Sequence, residues 1–562
     1  RMAADGTGSG AGDEVGRNHM IADSLKIVSS SLLGLTVGCA QCHDHRYDPI
    51  SQKDYYQLRA VFEPALSGDR WRTPIERRVS LYTDEEKKKA QDIEKEAGVV
   101  SSEKKKKLAT YMAEALDKEL SKYKEPLISE LRAAYQASGK ERTGNQKNLL
   151  KKHPNILITS GNLYQYNQKA ADELKKYDEQ IGRIRSRKPV EEFLRVVTEQ
   201  PDVLPVTRVF YRGDPKQPKE IVSPAGLAIT SPSLKSVVFP ENSSDLKTSG
   251  RRLAFARWLV SGKHPLTARV IVNRIWLHHF GRGLVGTPGD FGALGEKPTH
   301  PEVLDWLADK MVNSNWSLKH LHRVIMLSTV YRQSSRNAAP GNQVDPANLL
   351  YWKMPVRRLD GEALRDRILS AAGGLKNTLY GKPVAVKSDD AGQIVEAGNP
   401  SRRSLYVQVQ RSRPLAILTA FDAPVMEVNC NRRINSTVAP QSLLMMNSDF
   451  VLGQAKSMAT RAMKEITVFP FPEVLWQPEF KHDALGASAL RDLPETVARA
   501  WELAYCRPVT SGELSSALEF ISDQLKHIIR EPIENKQSEL LESVMSNLCQ
   551  ALINSNEFLY VD

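Results

Sequence analysis

Apolar residues recur at helical spacing along most of this chain. Over residues 19–37, Ile21, Leu25, Ile27 and Val28 fall on one stripe, which predicts a helix. Tyr47-Asp48-Pro49-Ile50 reads as a turn. Ser51 can then cap a helix from Ser51 to Phe62, with Tyr55, Leu58 and Phe62 on one face. Residues 84–190 are dense in Lys, Glu, Gln and Ala, with widely spaced Leu and Tyr. That pattern predicts long exposed helices, a helical hairpin broken near Ser138-Gly139 and Pro154, without the sustained heptad of a coiled coil. Residues 200–245 hold many Pro and Ser and read as an extended linker or a few short strands. Helical spacing returns at Arg251 to Val260, at Thr267 to Phe280 with Gly281 as its C-cap, at Pro301 to Met311, at Leu318 to Thr329 and over 359–375. Residues 376–420 carry turn residues and a β-like stretch from Ser404 to Val409, and the tail from Leu493 to Phe558 is helical. The expected fold is mainly α with a few short strands, in several domains. They are a helical segment over 1–83 opened by a flexible Gly/Ala/Asp-rich entry, a charged helical insertion over 84–199, a Pro/Ser-rich linker over 200–248 and a larger helical domain over 249–562.

Composition narrows the classes. The apolar fraction of 41% and charged fraction of 26% over 562 residues describe an ordinary globular chain with a well solvated surface. The net charge of +12 would suit a polyanion, yet much of the excess lies in Lys87-Lys88-Lys89 and Lys104 to Lys107, which read as solvated helix faces. No helix-turn-helix, zinc-finger or aromatic RNA-binding signature accompanies it, so no nucleic-acid partner is expected. No apolar run reaches the roughly 18 residues of a membrane span. The chain opens at Arg1 with no signal peptide and reads as a processed or truncated product. Its five cysteines are too few for a disulfide scaffold. Cys430, Cys506 and Cys549 lie far apart and read as buried free thiols, with one disulfide among them as the alternative.

The remaining two carry the chemistry. Cys39-Ala40-Gln41-Cys42-His43 has the spacing of covalent haem attachment: two thiols one turn apart, each able to add to a porphyrin vinyl group, and an imidazole directly after them. By chance the pattern arises on the order of once in a thousand such chains. In this reading Cys39 and Cys42 form thioethers and His43 is the proximal iron ligand of a haem c. Two alternatives stay open: a zinc or iron ion held by Cys39, Cys42, His43 and His45, and a redox-active or idle dithiol. A sixth iron ligand is unassigned, with His19 and Met20 one helix upstream and His278 and His279 in the larger domain as candidates. A Met or second His there makes an electron carrier, and an open position permits peroxide chemistry. His45 is too close to His43 to reach the opposite face and reads as a supporting group beside Asp44.

The stretch Gly34-Leu35-Thr36-Val37-Gly38 through the cysteine motif to Asp44-His45-Arg46-Tyr47-Asp48-Pro49-Ile50, followed by Lys53-Asp54-Tyr55-Tyr56, resembles the planctomycete cytochrome C domain, a domain of unknown function in large secreted proteins. The second half resembles its usual partner, the planctomycete-specific C-terminal domain, through Ser249-Gly250-Arg251-Arg252-Leu253-Ala254, Asn273-Arg274-Ile275-Trp276, His279-Phe280-Gly281-Arg282-Gly283-Leu284-Val285, Asp290-Phe291-Gly292, His300-Pro301-Glu302, Arg357-Arg358-Leu359-Asp360 and Asn556-Glu557-Phe558. The resemblance covers most of the chain except 84–190. It implies a periplasmic or cell-surface location, haem binding, N-terminal truncation and an association with polysaccharide breakdown; it implies no particular reaction.

Other polar groupings support rival functions. Arg269, Asn273, Arg274, Trp276, Arg282 and Asp290 read either as a glycan or anion pocket or as a buried network tying helices together. Asp290, Glu296 and Glu302, or Asp360 and Glu362, could pair for glycoside cleavage. No nucleophile elbow, phosphate loop or His-Glu-x-x-His is present. The leading expectation is an extracytoplasmic electron-transfer haem protein serving an envelope oxidoreductase. The others are a polysaccharide-binding or polysaccharide-processing protein whose Cys/His cluster holds a structural metal, and a surface scaffold.

Overall fold

The computed structural model describes residues 14–66, 75–138, 141–197, 199, 204–231, 233–337, 339–398, 401–410, 412–424, 430–465, 487–528 and 537–561. Its elements, in chain order, are α1 (Glu14–Val28), α2 (Gln52–Leu66), β1 (Arg78–Ser80), α3 (Asp84–Leu120), α4 (Leu127–Gln136), α5 (Gly144–Lys152), α6 (Gln168–Arg185), β2 (Phe193–Arg195), β3 (Arg208–Phe210) and β4 (Pro218–Ile221). They continue with α7 (Arg251–Leu259), α8 (Thr267–Phe280), α9 (Pro301–Asn313), α10 (Leu318–Met326), α11 (Thr329–Arg332), α12 (Ala339–Val344), β5 (Arg357–Arg358), α13 (Gly361–Ala371), β6 (Val386–Ser388) and β7 (Ile394–Glu396). The tail holds α14 (Ala416–Ala420), α15 (Ala439–Asn447), α16 (Asp449–Lys464), α17 (Ala487–Tyr505), α18 (Ser511–Ile528), α19 (Gln537–Ile553), α20 (Asn556–Leu559) and β8 (Tyr560–Val561). The fold is mainly α, and among the described residues the short strands form only two-stranded antiparallel sheets. The chain divides into two compact units, Arg72–Val197 and the remainder.

The smaller unit is the charged helical hairpin. A capping box opens α3: Thr83 accepts from the Glu86 amide, and Glu86 accepts from that of Thr83. Glu94 pairs with Arg185, Lys104 with Asp178, and Lys107 with Glu173, so α3 and α6 run antiparallel. These exposed pairs contribute little each. Burial of Ile93 and Ala97 against Ile181 and Ile184, and of Leu116 and Leu120 against Leu131, Leu150 and Ile156, holds the arms together. The turn region is more built than a simple break, since α4 and α5 fill it; Pro154 opens a 3-10 turn after α5, and Gly139 lies outside the described residues.

In the larger unit α1 widens into a π-turn at Ser29–Leu33. At the head of α2 the Asp54 carboxylate accepts from both the amide and the hydroxyl of Ser51, whose oxygen caps the Asp54 amide. The Pro- and Ser-rich stretch packs onto α2: Ala225 N–H donates to Gln57 O at 3.2 Å, Ala228 N–H to Asp54 at 3.1 Å, and Thr207 Oγ1 to Glu63 at 2.5 Å. Two apolar cores follow. One gathers Val272, Trp276, Phe280, Leu304, Met311 and Leu321 from α8 to α10; the other lies between α13 and α20. β8 pairs with β5, returning the tail to Arg357 and Arg358.

Ser404–Val409, expected as strand-like, departs from that expectation. Ser404–Tyr406 is a 3-10 turn, and Val407 makes a single bridge to Val384. The Ser404 amide and hydroxyl both donate to Asp366 at 2.7 Å, and the buried Arg365 donates to the same hydroxyl oxygen. The segment is thus fastened side-on to α13 and has no free ladder edge. Cysteine burial also differs from expectation: Cys549 is buried, Cys430 and Cys506 are exposed, and all three are free.

The segment holding α1 and α2 interlocks with the C-terminal part of this unit. Phe291 N–H donates to Gly34 O at 2.6 Å, Arg274 to Ser30 O at 3.1 Å, and the buried Arg251 to Ala60 O at 2.9 Å. Asp48, only 6% exposed, accepts from Ala293 N–H at 2.7 Å. A Cβ on Gly292 would lie 2.5 Å from the Asp48 carboxylate. Both sides of that contact are fixed by backbone bonds, so Gly292→Ala should cost about 1–3 kcal/mol. Urea unfolding followed by helical circular dichroism checks this, and an unchanged midpoint would contradict it.

Candidate haem-attachment loop

The segment after the π-turn runs with Leu35 and Val37 buried and then forms a 3-10 turn, Gly38–Gln41, in which Ala40 is 0% exposed. Three residues per turn place positions i and i+3 on one side. Ala40 therefore anchors the turn inward, while Cys39 and Cys42, both exposed free thiols, share the outer face. Cys42 N–H donates to Cys39 O at 3.3 Å, closing the turn between them.

Two side chains of α2 fix its end. Gln41 O accepts from Gln52 Nε2 at 3.0 Å and from the Tyr56 hydroxyl at 3.1 Å. The same Gln52 amide reaches Phe210 O at 2.9 Å, which ties the β3–β4 hairpin to the loop. Gly213 of that hairpin has φ +78°, and a Cβ there would stand 2.9 Å from Cys42 Sγ, so glycine answers both the turn and the close approach. Tyr55 and Tyr56 lie edge to face beneath the loop, and burial pushes both phenols up, keeping them protonated. The buried Tyr55 hydroxyl has no hydrogen-bond partner among the described residues.

The two histidines of the loop are oppositely arranged. His43 is exposed, and its Nδ1 lies 2.6 Å from Asp44 O. A carbonyl only accepts, so Nδ1 carries the proton and the Nε2 lone pair of the neutral ring is left free. A donor bond from the second ring nitrogen to a carbonyl is the usual support of a metal-ligating imidazole. In His45, Nδ1 accepts from Asp48 N–H at 2.9 Å, and Nε2 faces Thr36 Oγ1 at 3.4 Å. Its lone pair is already engaged, and its side chain is 4% exposed. Among the described residues no group of three or more His, Cys, Asp or Glu stands ready for a metal ion. The loop therefore suits a ligand that takes the two sulfurs on one face and His43 beside them, and not a compact four-ligand ion site including His45.

The other residues singled out from the sequence do not gather here. His19 is exposed and Met20 buried on α1, which packs beside the cysteine turn. His278 and His279 lie roughly 12 Å along α8 from Val270, which lies against Gly34. His279 Nε2 is 2.8 Å from His322 Nδ1, and burial lowers its pKa to about 4. Trp276 is 5% exposed and donates to the Tyr351 hydroxyl at 2.8 Å; Asn273 is fully buried and exchanges two bonds with Val285. Arg269 pairs with Asp305, Arg282 with Glu296, and Asp290 accepts from Gly292 N–H. Glu302 opens α9, Asp360 stands at the head of α13, and Glu362 takes both Arg433 guanidinium nitrogens. These groups tie helices and turns together. A crevice of about 150 Å³ between Arg269, Phe291 and Glu296 is well under the usual few hundred Å³ of a ligand pocket. Gln52 and Gly213, which hold the loop, were not singled out from the sequence, and Asp48 and Tyr56 were read there only as turn and family-motif residues.

Fold and loop together define a mainly helical, multi-domain protein that displays a Cys-x-x-Cys-His turn on a braced surface. Two family models match it: Protein of unknown function (DUF1549), also called PSCyt2, over residues 2–66, and Protein of unknown function (DUF1553), also called PSD1, over residues 251–521. The chain belongs to the proteins that carry this planctomycete cytochrome C and C-terminal domain pair, in that order. No curated protein matches it, and no solved structure does. No described helix is long and apolar enough to cross a membrane.

The ring arrangement makes a direct prediction. Diethyl pyrocarbonate attacks an accessible neutral imidazole nitrogen, so peptide mapping should find His43 modified before His45. Equal modification of the two would contradict the assignment.

Proposed function

We propose that this chain is an extracytoplasmic c-type haem protein that transfers electrons to or from an envelope oxidoreductase. Cys39 and Cys42 would hold the porphyrin through thioethers, and His43 Nε2 would be offered to its iron. The observation that carries this reading is the pairing of two thiols on one face of a 3-10 turn with a neighbouring imidazole whose free nitrogen is Nε2. When bound, the haem supplies one-electron chemistry between ferric and ferrous iron. The chain's own part is to keep the turn rigid through Gln52 and Tyr56, to keep the Nδ1 proton of His43 on Asp44 O, and to leave both sulfurs open for attachment.

A zinc or iron ion on Cys39, Cys42, His43 and His45 is favoured less, because His45 would have to leave Asp48 N–H and Thr36. A glycan site on Trp276 is disfavoured by its burial. Protein produced with a cytochrome c maturation system should give a pyridine haemochrome spectrum of about one haem per chain, from one motif. Haem should remain after acid–acetone extraction in the wild type and be absent from the Cys39→Ser/Cys42→Ser variant. A colourless wild-type chain, or one whose haem is fully extracted, overturns the proposal.

A further inference from the structure

Exposed bases outnumber exposed acids around the loop, where Asp44 and Glu220 are exposed and Asp48 and Asp54 are buried. Asp44 gives one carboxylate oxygen to Gln52 N–H, and Asp214 accepts from Lys216 N–H and Gln217. Asp48 and Asp54 are buried on backbone amides of residues 293, 51 and 228. The bases point outward. Arg46, Lys53, Arg212, Lys216 and Lys219 are all exposed, and among the described residues no carboxylate pairs with any of them. Arg212 precedes the glycine that touches Cys42, and its own backbone is left-handed at φ +48°. Lys219 stands 4.8 Å over the exposed Tyr211 ring, and Arg46 stands 5.5 Å from the exposed Tyr47 ring. Lys53 follows Gln52, which braces Gln41. The opposing exposed charges are Asp44 in the loop and Glu220 on β4. Cations without a carboxylate partner, interleaved with the exposed Tyr47 and Tyr211, thus lie on the segments that carry and brace the cysteine turn.

We propose that this rim is the docking surface for a redox partner protein whose own cofactor edge is framed by carboxylates. The proposal rests on the electron-transfer reading of the same loop and names the partner's chemistry. Such a rim steers an acidic partner toward the sulfurs, because a local field acts over about one Debye length, roughly 10 Å at 0.1 M salt. Exposed tyrosines give the contact apolar area that survives once the charges meet.

The test does not depend on haem. In the unloaded chain carrying Cys430→Ser and Cys506→Ser, the accessible thiols are Cys39 and Cys42; burial pushes the Cys549 thiol up to about 12. Their reaction with dianionic dithiobis-nitrobenzoate should slow about 3- to 10-fold between low and physiological salt, while reaction with neutral dithiodipyridine stays unchanged. Arg46→Glu/Arg212→Glu should remove that salt dependence. The control Lys105→Glu/Lys106→Glu, which changes net charge equally at two exposed lysines of the helical hairpin, should not. Carbodiimide coupling to flavodoxin, an acidic electron carrier used as the probe, should map to Lys53, Lys216 and Lys219 and weaken in the Arg46/Arg212 variant. Equal effects of the two variants, cross-links mapping mainly to Lys87–Lys89 or Lys104–Lys107, or retention of heparin at this rim without flavodoxin coupling would each overturn the proposal. Failure of haem attachment is read separately, from the haemochrome.

Discussion

The Asp48 carboxylate sits where two segments 245 positions apart meet. On one side it belongs to the turn that closes the cysteine loop, with its own amide on His45 Nδ1 and its carbonyl accepting from Ile50 N–H. On the other it receives Ala293 N–H across the face of Gly292. A buried carboxylate is costly unless its oxygens are bonded, and this one is bonded to the backbone of the segment it faces. Loop and C-terminal part are therefore set in register by one side chain, and the Asp290-Phe291-Gly292 turn shapes the floor beneath the loop. Phe291 N–H on Gly34 O and Arg274 on Ser30 O continue the same seam. The described parts of the two matched domains thus belong to one compact unit and meet at this seam.

That seam explains why two histidines two positions apart differ so much. His45 is drawn inward because Asp48 N–H needs an acceptor, and its ring becomes part of the support. His43 lies beyond the support, bonded among the described residues only to the adjacent Asp44 carbonyl, and keeps a free nitrogen. Burial of Ala40 and bracing of Gln41 by Gln52 and Tyr56 do the corresponding work for the thiols, which remain outside and side by side. Rigid support beneath and open chemistry above is the arrangement a covalently attached cofactor requires, since the attachment residues must be preorganised before the cofactor contributes contacts of its own.

Much of this was legible in the sequence, and for local reasons. The helical stripes at 251–260, 267–280 and 301–311, the Gly281 C-cap and the Ser51 cap follow from spacing and capping chemistry within a few residues. The Cys-x-x-Cys-His turn was legible for the same reason. What stayed hidden depends on contacts distant in sequence. Asp48 on Ala293, Arg251 on Ala60 O and Gly213 against Cys42 have no periodic signature. Arg274, Asn273 and Trp276 could be read from sequence either as a binding constellation or as a buried network, because polar and aromatic residues at helical spacing suit both. Their partners, Ser30 O, Val285 and Tyr351, lie in other segments and make them structural. Ser404–Val409 misled through its β-branched and aromatic content, because the side-chain bonds to Asp366 decide its conformation.

The central claim is that Cys39 and Cys42 carry a porphyrin with His43 as its ligand. Mass spectrometry of the proteolytic peptide spanning Cys39 to His43, taken from chain isolated from its native source, tests it most directly. The account predicts a peptide bearing one haem joined through both sulfurs. Two unmodified thiols, or a plain disulfide between them, would contradict it.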